Sequence, residues 1–181
     1  MKNDKMAKMW IVSGPTCVGK SYFLWNKKDR LSEITNLPPF ENNIESEGGA
    51  FPAKYFSKIY ESKNKNICIH LCLDRLDNYI VEDDDDKKWH FMGPFHENWK
   101  KISELKTRKK VIILGVSYSE YKVRLQYRGH NWRVDPVEIL DLYKGWVDEL
   151  NKNKIPYLLV EAIGDYKILE EADFFKMLKD R

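Results

Sequence analysis

The run MWIVSGPTCVGKSYFL, Met9 to Leu24, joins a short apolar stretch, a glycine-bearing loop and a helix-compatible continuation. Met9 to Ser13 is nearly continuous in apolar character, which suits a strand of a parallel sheet covered on both faces. Ile67 to Leu73, Val111 to Val116 and Pro156 to Val160 repeat that character. Between them lie segments with helical spacing. In DPVEILDLYKGWVDEL, Asp135 can cap, Pro136 fits the first helical position and Glu138 completes a capping-box-like pattern. Ile139, Leu142, Tyr143, Trp146 and Leu150 then make one apolar face, and Lys152 to Lys154 turn the chain into the last strand. Strands alternating with helices predict an α/β fold, a three-layer sandwich with a parallel sheet and right-handed crossovers. Leu31 to Gly49, rich in Pro, Gly, Asn and Glu, reads mainly as a loop or cover with room for one short strand.

Gly14, Gly19, Lys20 and Ser21 fall in the order G-x-x-x-x-G-K-S. A phosphate chain carries charge that a neutral surface cannot hold, so such a loop offers backbone N–H groups where the helix dipole is positive. The loop Gly14, Pro15, Thr16, Cys17, Val18, Gly19 is expected to wrap the phosphates of ATP, with Gly14 and Gly19 letting the backbone curl close. Lys20 can reach the β and γ phosphates, and the Ser21 hydroxyl can ligate Mg2+. The Pro15 and Cys17 side chains occupy variable positions of the pattern and are given no chemistry.

The chain has 181 residues, 43% of them hydrophobic, which fits one domain over 1–181 with a sizeable core. Its 31 basic and 28 acidic residues leave a net charge of +3, a balance that does not by itself imply a nucleic-acid partner. MKNDKMAK at the amino terminus lacks the apolar centre of a signal peptide, and no segment is long or apolar enough to span a membrane. A soluble cytoplasmic protein is expected. Cys17, Cys68 and Cys72 are too few for a disulfide framework. Cys68, His70 and Cys72 would share a strand face, but a strand spaces them poorly for tetrahedral zinc, so a buried strand with small, soft side chains is the simpler reading. The run Asp83 to Asp86 reads as a solvated loop.

Downstream residues separate kinds of nucleotide use. No N-K-x-D guanine signature stands at a strand end, since the NKN runs at Asn64 and Asn151 lack the aspartate. Asp74 and Arg75 close a strand where an open α/β sheet presents catalytic groups. After Val111–Val116, Ser119 can cap a helix on which Arg124 and Arg128 face the same way, with Arg133 just beyond. Two guanidinium groups on one face could clamp a transferring phosphoryl group.

This order of P-loop, strand ending in D-R, strand followed by S-x-Y-x-x-R-x-x-x-R-G, late strand and terminal helix resembles the thymidylate kinase and deoxynucleoside kinase branch of the P-loop nucleoside and nucleotide kinases. The resemblance covers most of the chain, and its specific part is the P-loop. It implies that Asp74 and Arg75 serve the phosphate acceptor, Asp74 also as a magnesium ligand. Arg124, Arg128 and Arg133 would belong to a lid around 119–135. Val160 to Gly164 falls where that family lines the adenine. GPTCVGKS departs from the branch's usual G-x-D-G-x-G-K-S-T, and the segments that build the acceptor pocket are shorter here. The acceptor implied is a nucleoside or nucleotide. DNA, through a hydroxymethylated base or a polynucleotide end, is the alternative, because Trp89, His90, Phe91, Phe95, His96 and Trp99 offer faces for stacking. A regulatory module that binds nucleotide without phosphotransfer is the third reading.

Overall fold

The computed structural model describes residues 8–35, 42–45, 67–70, 103–104, 108–129 and 135–180. In chain order the elements are β1 (Lys8–Ser13), α1 (Lys20–Asn26), α2 (Lys28–Thr35), β2 (Asn42–Glu45), β3 (Ile67–His70) and β4 (Arg108–Gly115). Then follow α3 (Tyr118–Tyr127), α4 (Pro136–Lys152), β5 (Tyr157–Glu161), β6 (Lys167–Leu169) and α5 (Glu171–Lys179). The strands form one open sheet in the order β2-β3-β1-β4-β5-β6.

Side chains of a strand alternate between faces, so an unbroken run of buried residues means that both faces are covered. Met9 to Val12 on β1 and Val111 to Leu114 on β4 are such runs. The two strands pair in parallel, Met9 opposite Lys109 and Ser13 opposite Ile113. β3 runs parallel on the other side of β1, and β5 runs parallel to β4. The sheet is mixed and not wholly parallel as expected, because β6 returns antiparallel to β5, Glu161 opposite Lys167. Positive φ at Gly164 (56°) and Tyr166 (55°) reverses the chain within so few residues.

The long helix forms as its sequence predicts. Asp135 caps α4 by accepting from the Val137 N–H at 2.7 Å. Ile139, Leu142, Tyr143, Trp146 and Leu150 are all buried. Tyr143 satisfies its buried hydroxyl on the Leu114 carbonyl at 2.7 Å. Phe174 of α5 meets Tyr143 edge-on at 5.4 Å. Phe174 lies so close to β4 that a Cβ on Gly115 would stand 2.5 Å from its Cζ.

Two local expectations change. Ser117, and not Ser119, caps α3, accepting from the Glu120 N–H at 3.3 Å. The Leu31–Gly49 loop is helical at its start, where α2 runs to Thr35, and carries β2 further on. Leu31 and Ile34 stand one turn apart, and burial of Leu31 holds α2 to the core.

Strand order fixes where a ligand fits. After β1 the chain moves toward the β2–β3 edge, and after β4 it moves toward β5. Adjacent strands whose connections diverge leave a crevice outside their carboxyl ends. The glycine loop and the helix of Arg124 both leave from those ends.

Candidate functional site

Gly14 ends β1 at φ 148°, and a Cβ there would stand 2.7 Å from the Leu114 carbonyl oxygen and 2.8 Å from Val18 Cγ1. No side chain fits without displacing β4 or the loop. The Val18 N–H donates to the Pro15 carbonyl at 3.3 Å, and Cys17 takes φ 66° to close the turn. Gly19 caps α1 at φ 104°. Lys20 then folds back over the loop that precedes it. Its ammonium donates to the Gly14 carbonyl at 2.5 Å and the Pro15 carbonyl at 2.8 Å, and the residue is only 5% exposed. A buried ammonium held on loop carbonyls is a cation that an incoming anion can draw away. Thr16 and Ser21 are half-buried.

Arg124 reaches this loop from α3. Its Nε donates to Glu120 Oε1 at 2.7 Å on its own helix. Its Nη1 donates to the Val18 carbonyl at 2.7 Å, and its Nη2 to the Ala162 carbonyl at 2.8 Å, just past β5. Arg128, one turn on, is exposed. Both arginines line a cavity of about 640 Å³ with Gly19, Tyr22, Gly164 and Tyr166. That volume suits a small-molecule ligand.

Tyr166 lines the cavity, its ring stacked on Phe23 at 4.6 Å and 9° between planes. A Cβ on Gly19 would lie 3.4 Å from its hydroxyl oxygen. Burial pushes the Tyr166 phenol above its usual range, the nearby Arg124 charge pulls it down, and Tyr22 adds a small push upward.

Of the residues singled out from sequence, Cys17, Gly19, Arg124 and Arg128 line this cavity, as do Ala162 and Gly164 of the expected adenine loop, while Lys20 is held on the Gly14 and Pro15 carbonyls of the loop and Ser21 follows it in α1. Asp74, Arg75, Arg133, the Asp83–Asp86 run and the aromatic cluster from Trp89 to Trp99 lie outside the described residues. So does Cys72, whereas Cys68 and His70 stand on β3. Sequence reasoning missed Glu120 and Tyr166. The Glu120–Arg124 spacing of i, i+4 was a legible signal, whereas nothing local marks Tyr166 as part of a site.

No protein-family model matches the chain, and no curated protein matches it. Among solved structures, the chain is similar to one from the molecular and structural characterization of the PezAT chromosomal toxin-antitoxin system of the human pathogen Streptococcus pneumoniae. The two are 13% identical with a TM-score of 0.50, over 99% of this chain and 79% of that one. At that identity the likeness is one of fold, an α/β sheet with helices. No described helix is long and apolar enough to cross a membrane.

Proposed function

We propose that the protein is an ATP-dependent phosphotransferase of the P-loop nucleoside and nucleotide kinase type, acting on a nucleoside or nucleotide acceptor. The observation that carries this reading is the convergence of Lys20, Arg124 and Arg128 on a glycine loop at the carboxyl end of the central parallel strand. Phosphoryl transfer asks a protein mainly for positioning and for positive charge around the phosphates. In this reading the backbone N–H groups of the loop take the phosphates, and Lys20 leaves the Gly14 and Pro15 carbonyls for the β and γ oxygens. Arg128, exposed at the cavity wall, neutralises charge as the γ group transfers.

In this reading the half-buried Ser21 hydroxyl, which follows Lys20 in the first turn of α1, is the group on the side of the loop that would hold Mg2+. Bound there, the metal would draw charge from the phosphates, with Asp74 as its second protein ligand. Asp74 and Arg75 are assigned the acceptor side. Asp74 takes the proton of an attacking hydroxyl, and Arg75 holds the acceptor.

An acceptor screen with labelled ATP tests the proposal, comparing nucleosides, monophosphates, single-stranded DNA and hydroxymethylated DNA. Label transferred to a nucleoside or monophosphate is the expected result. Transfer to DNA alone would overturn the acceptor, and ATP binding without acceptor-dependent ADP release would overturn phosphotransfer in favour of a regulatory module. With the acceptor found, Asp74→Asn should lower kcat by a factor on the order of 10² to 10⁴ with ATP binding unchanged. Arg75→Ala should mainly raise the acceptor KM.

A further inference from the structure

Resting on the phosphotransferase reading, we infer that Arg124 is a positioning residue for the glycine loop, a two-pronged strap that sets the direction of the Gly19 N–H, and not a clamp on the phosphates. Three of its N–H groups are committed to protein oxygens. Glu120 holds Nε at 2.7 Å and so fixes the guanidinium plane against α3. The two Nη atoms then span from the Val18 carbonyl at 2.7 Å to the Ala162 carbonyl at 2.8 Å. One rigid group thereby ties α3, the glycine loop and the end of β5 together, and its side chain is 24% exposed. The planar fork keeps its spacing without further ordering, which a flexible ammonium does not.

The consequence for the loop follows from peptide geometry. Across the planar trans unit the carbonyl of Val18 and the N–H of Gly19 point in opposite directions. Holding the Val18 oxygen toward α3 turns the Gly19 N–H away from Arg124. Glycine gives this unit little resistance of its own, because Gly19 at φ 104° has no Cβ to restrict rotation. The same absence allows the strap to approach, since a Cβ would stand 3.2 Å from Nη1. Gly19 therefore both needs an external hold and admits it, and Arg124 supplies the hold. Arg128, lining the same cavity one helical turn on, is the guanidinium left to meet the phosphates.

A clamp and a strap respond differently to lysine. A clamp needs charge, which lysine keeps. A strap needs two donors at a fixed separation, which lysine lacks. The full chain carrying Arg124→Lys or Arg124→Ala is titrated with tripolyphosphate, which carries no base or sugar. Both variants should bind it more weakly by on the order of tenfold, lysine no better than alanine. Arg124→Lys within about twofold of wild type would overturn the strap in favour of the clamp. A second measurement needs no ligand. Backbone ¹⁵N order parameters of Gly14, residues 16–19 and residues 162–164 should fall together in both variants while those of α4 hold, and unchanged values in the two loops would overturn the strap. If wild-type protein binds neither ATP nor tripolyphosphate, the phosphotransferase reading fails, and the order parameters still decide the role of Arg124.

Discussion

The crevice at the carboxyl ends of β1 and β4 and the packing of α4 and α5 on the sheet are held by different forces. Around the crevice, cationic side chains are tied to backbone carbonyls of loops. Lys20 binds Gly14 and Pro15, Arg124 binds Val18 and Ala162, and Arg30 binds Asp165 at 2.7 Å. On the α4–α5 side, Gly115, Phe174, Tyr143 and Trp146 meet through close aromatic contact, Tyr143 and Trp146 edge-on at 5.3 Å. A charge-assisted bond to a carbonyl can be exchanged for one to a ligand, whereas a packed ring has no alternative partner. Function can therefore be removed on one side with the fold kept, and stability on the other with the site kept.

Phe174→Ala should give the largest effect. It empties the space against Gly115 and Tyr143 and should cost about 3–5 kcal/mol of stability by urea denaturation. ATP affinity per folded molecule should stay at the wild-type value. Lost affinity in folded protein would break the division between the two sides. Lys20→Ala should act in the opposite sense, lowering kcat/KM by on the order of 10² to 10³ with little change in Tm. A fall of Tm comparable with that of Phe174→Ala would make the Lys20 bonds structural and break the comparison from the other side.

How the sequence could be read differs between the two sides as well. β1, β4 and α4 were legible because their signals are local: unbroken apolar runs, and an Asp-Pro start before a face of period near 3.6. The Gly14 to Ser21 pattern was legible because its backbone demands are written as glycines. α2 was obscured by Pro38 and Pro39, which drew the whole of Leu31–Gly49 toward a loop, although Leu31 and Ile34 already carried a helical spacing. β6 has three residues, too few for any period to register. Arg124 was legible as a cation facing the glycine loop, yet its bonds to Val18 and Ala162 depend on tertiary closure across 106 and 38 residues. No spacing rule reaches that far.

Gly14→Ala should sharpen the comparison at the point where the two sides touch. Its Cβ would meet the Leu114 carbonyl from the β4 side and Val18 from the loop side. An overpacking cost of about 1–3 kcal/mol is expected, together with weakened ATP binding. Both losses in one variant, measured by urea denaturation and titration, would mark Gly14 as the shared boundary. A stable protein with wild-type affinity would show that the loop yields without cost.

The smallest effect lies in a slope and reports on the crevice side alone. The Tyr166 phenol is raised above its ordinary value of 10.0, chiefly by burial, against the opposing charge of Arg124. The folded state then holds this proton more tightly than the unfolded chain does. The contribution is fully present below about pH 10 and is lost as pH rises through the folded value. Lys109 is shifted the other way, lowered by burial, so its contribution to stability rises with pH in the neighbouring range. Tyr157 is raised, first by burial and then by its hydrogen bond to Glu171. The wild-type curve alone therefore mixes signs, and the informative quantity is the difference between wild type and Tyr166→Phe. That difference should be flat below pH 9 and should fall above about pH 10, read from urea denaturation at fixed ionic strength. Parallel curves would show that the hydroxyl titrates alike folded and unfolded. In an Arg124→Ala background the opposing charge is gone and burial and Tyr22, which both raise the phenol, act unopposed, so the fall should extend to higher pH. A window that stays where it was would mean that Arg124 does not act on Tyr166 across the cavity.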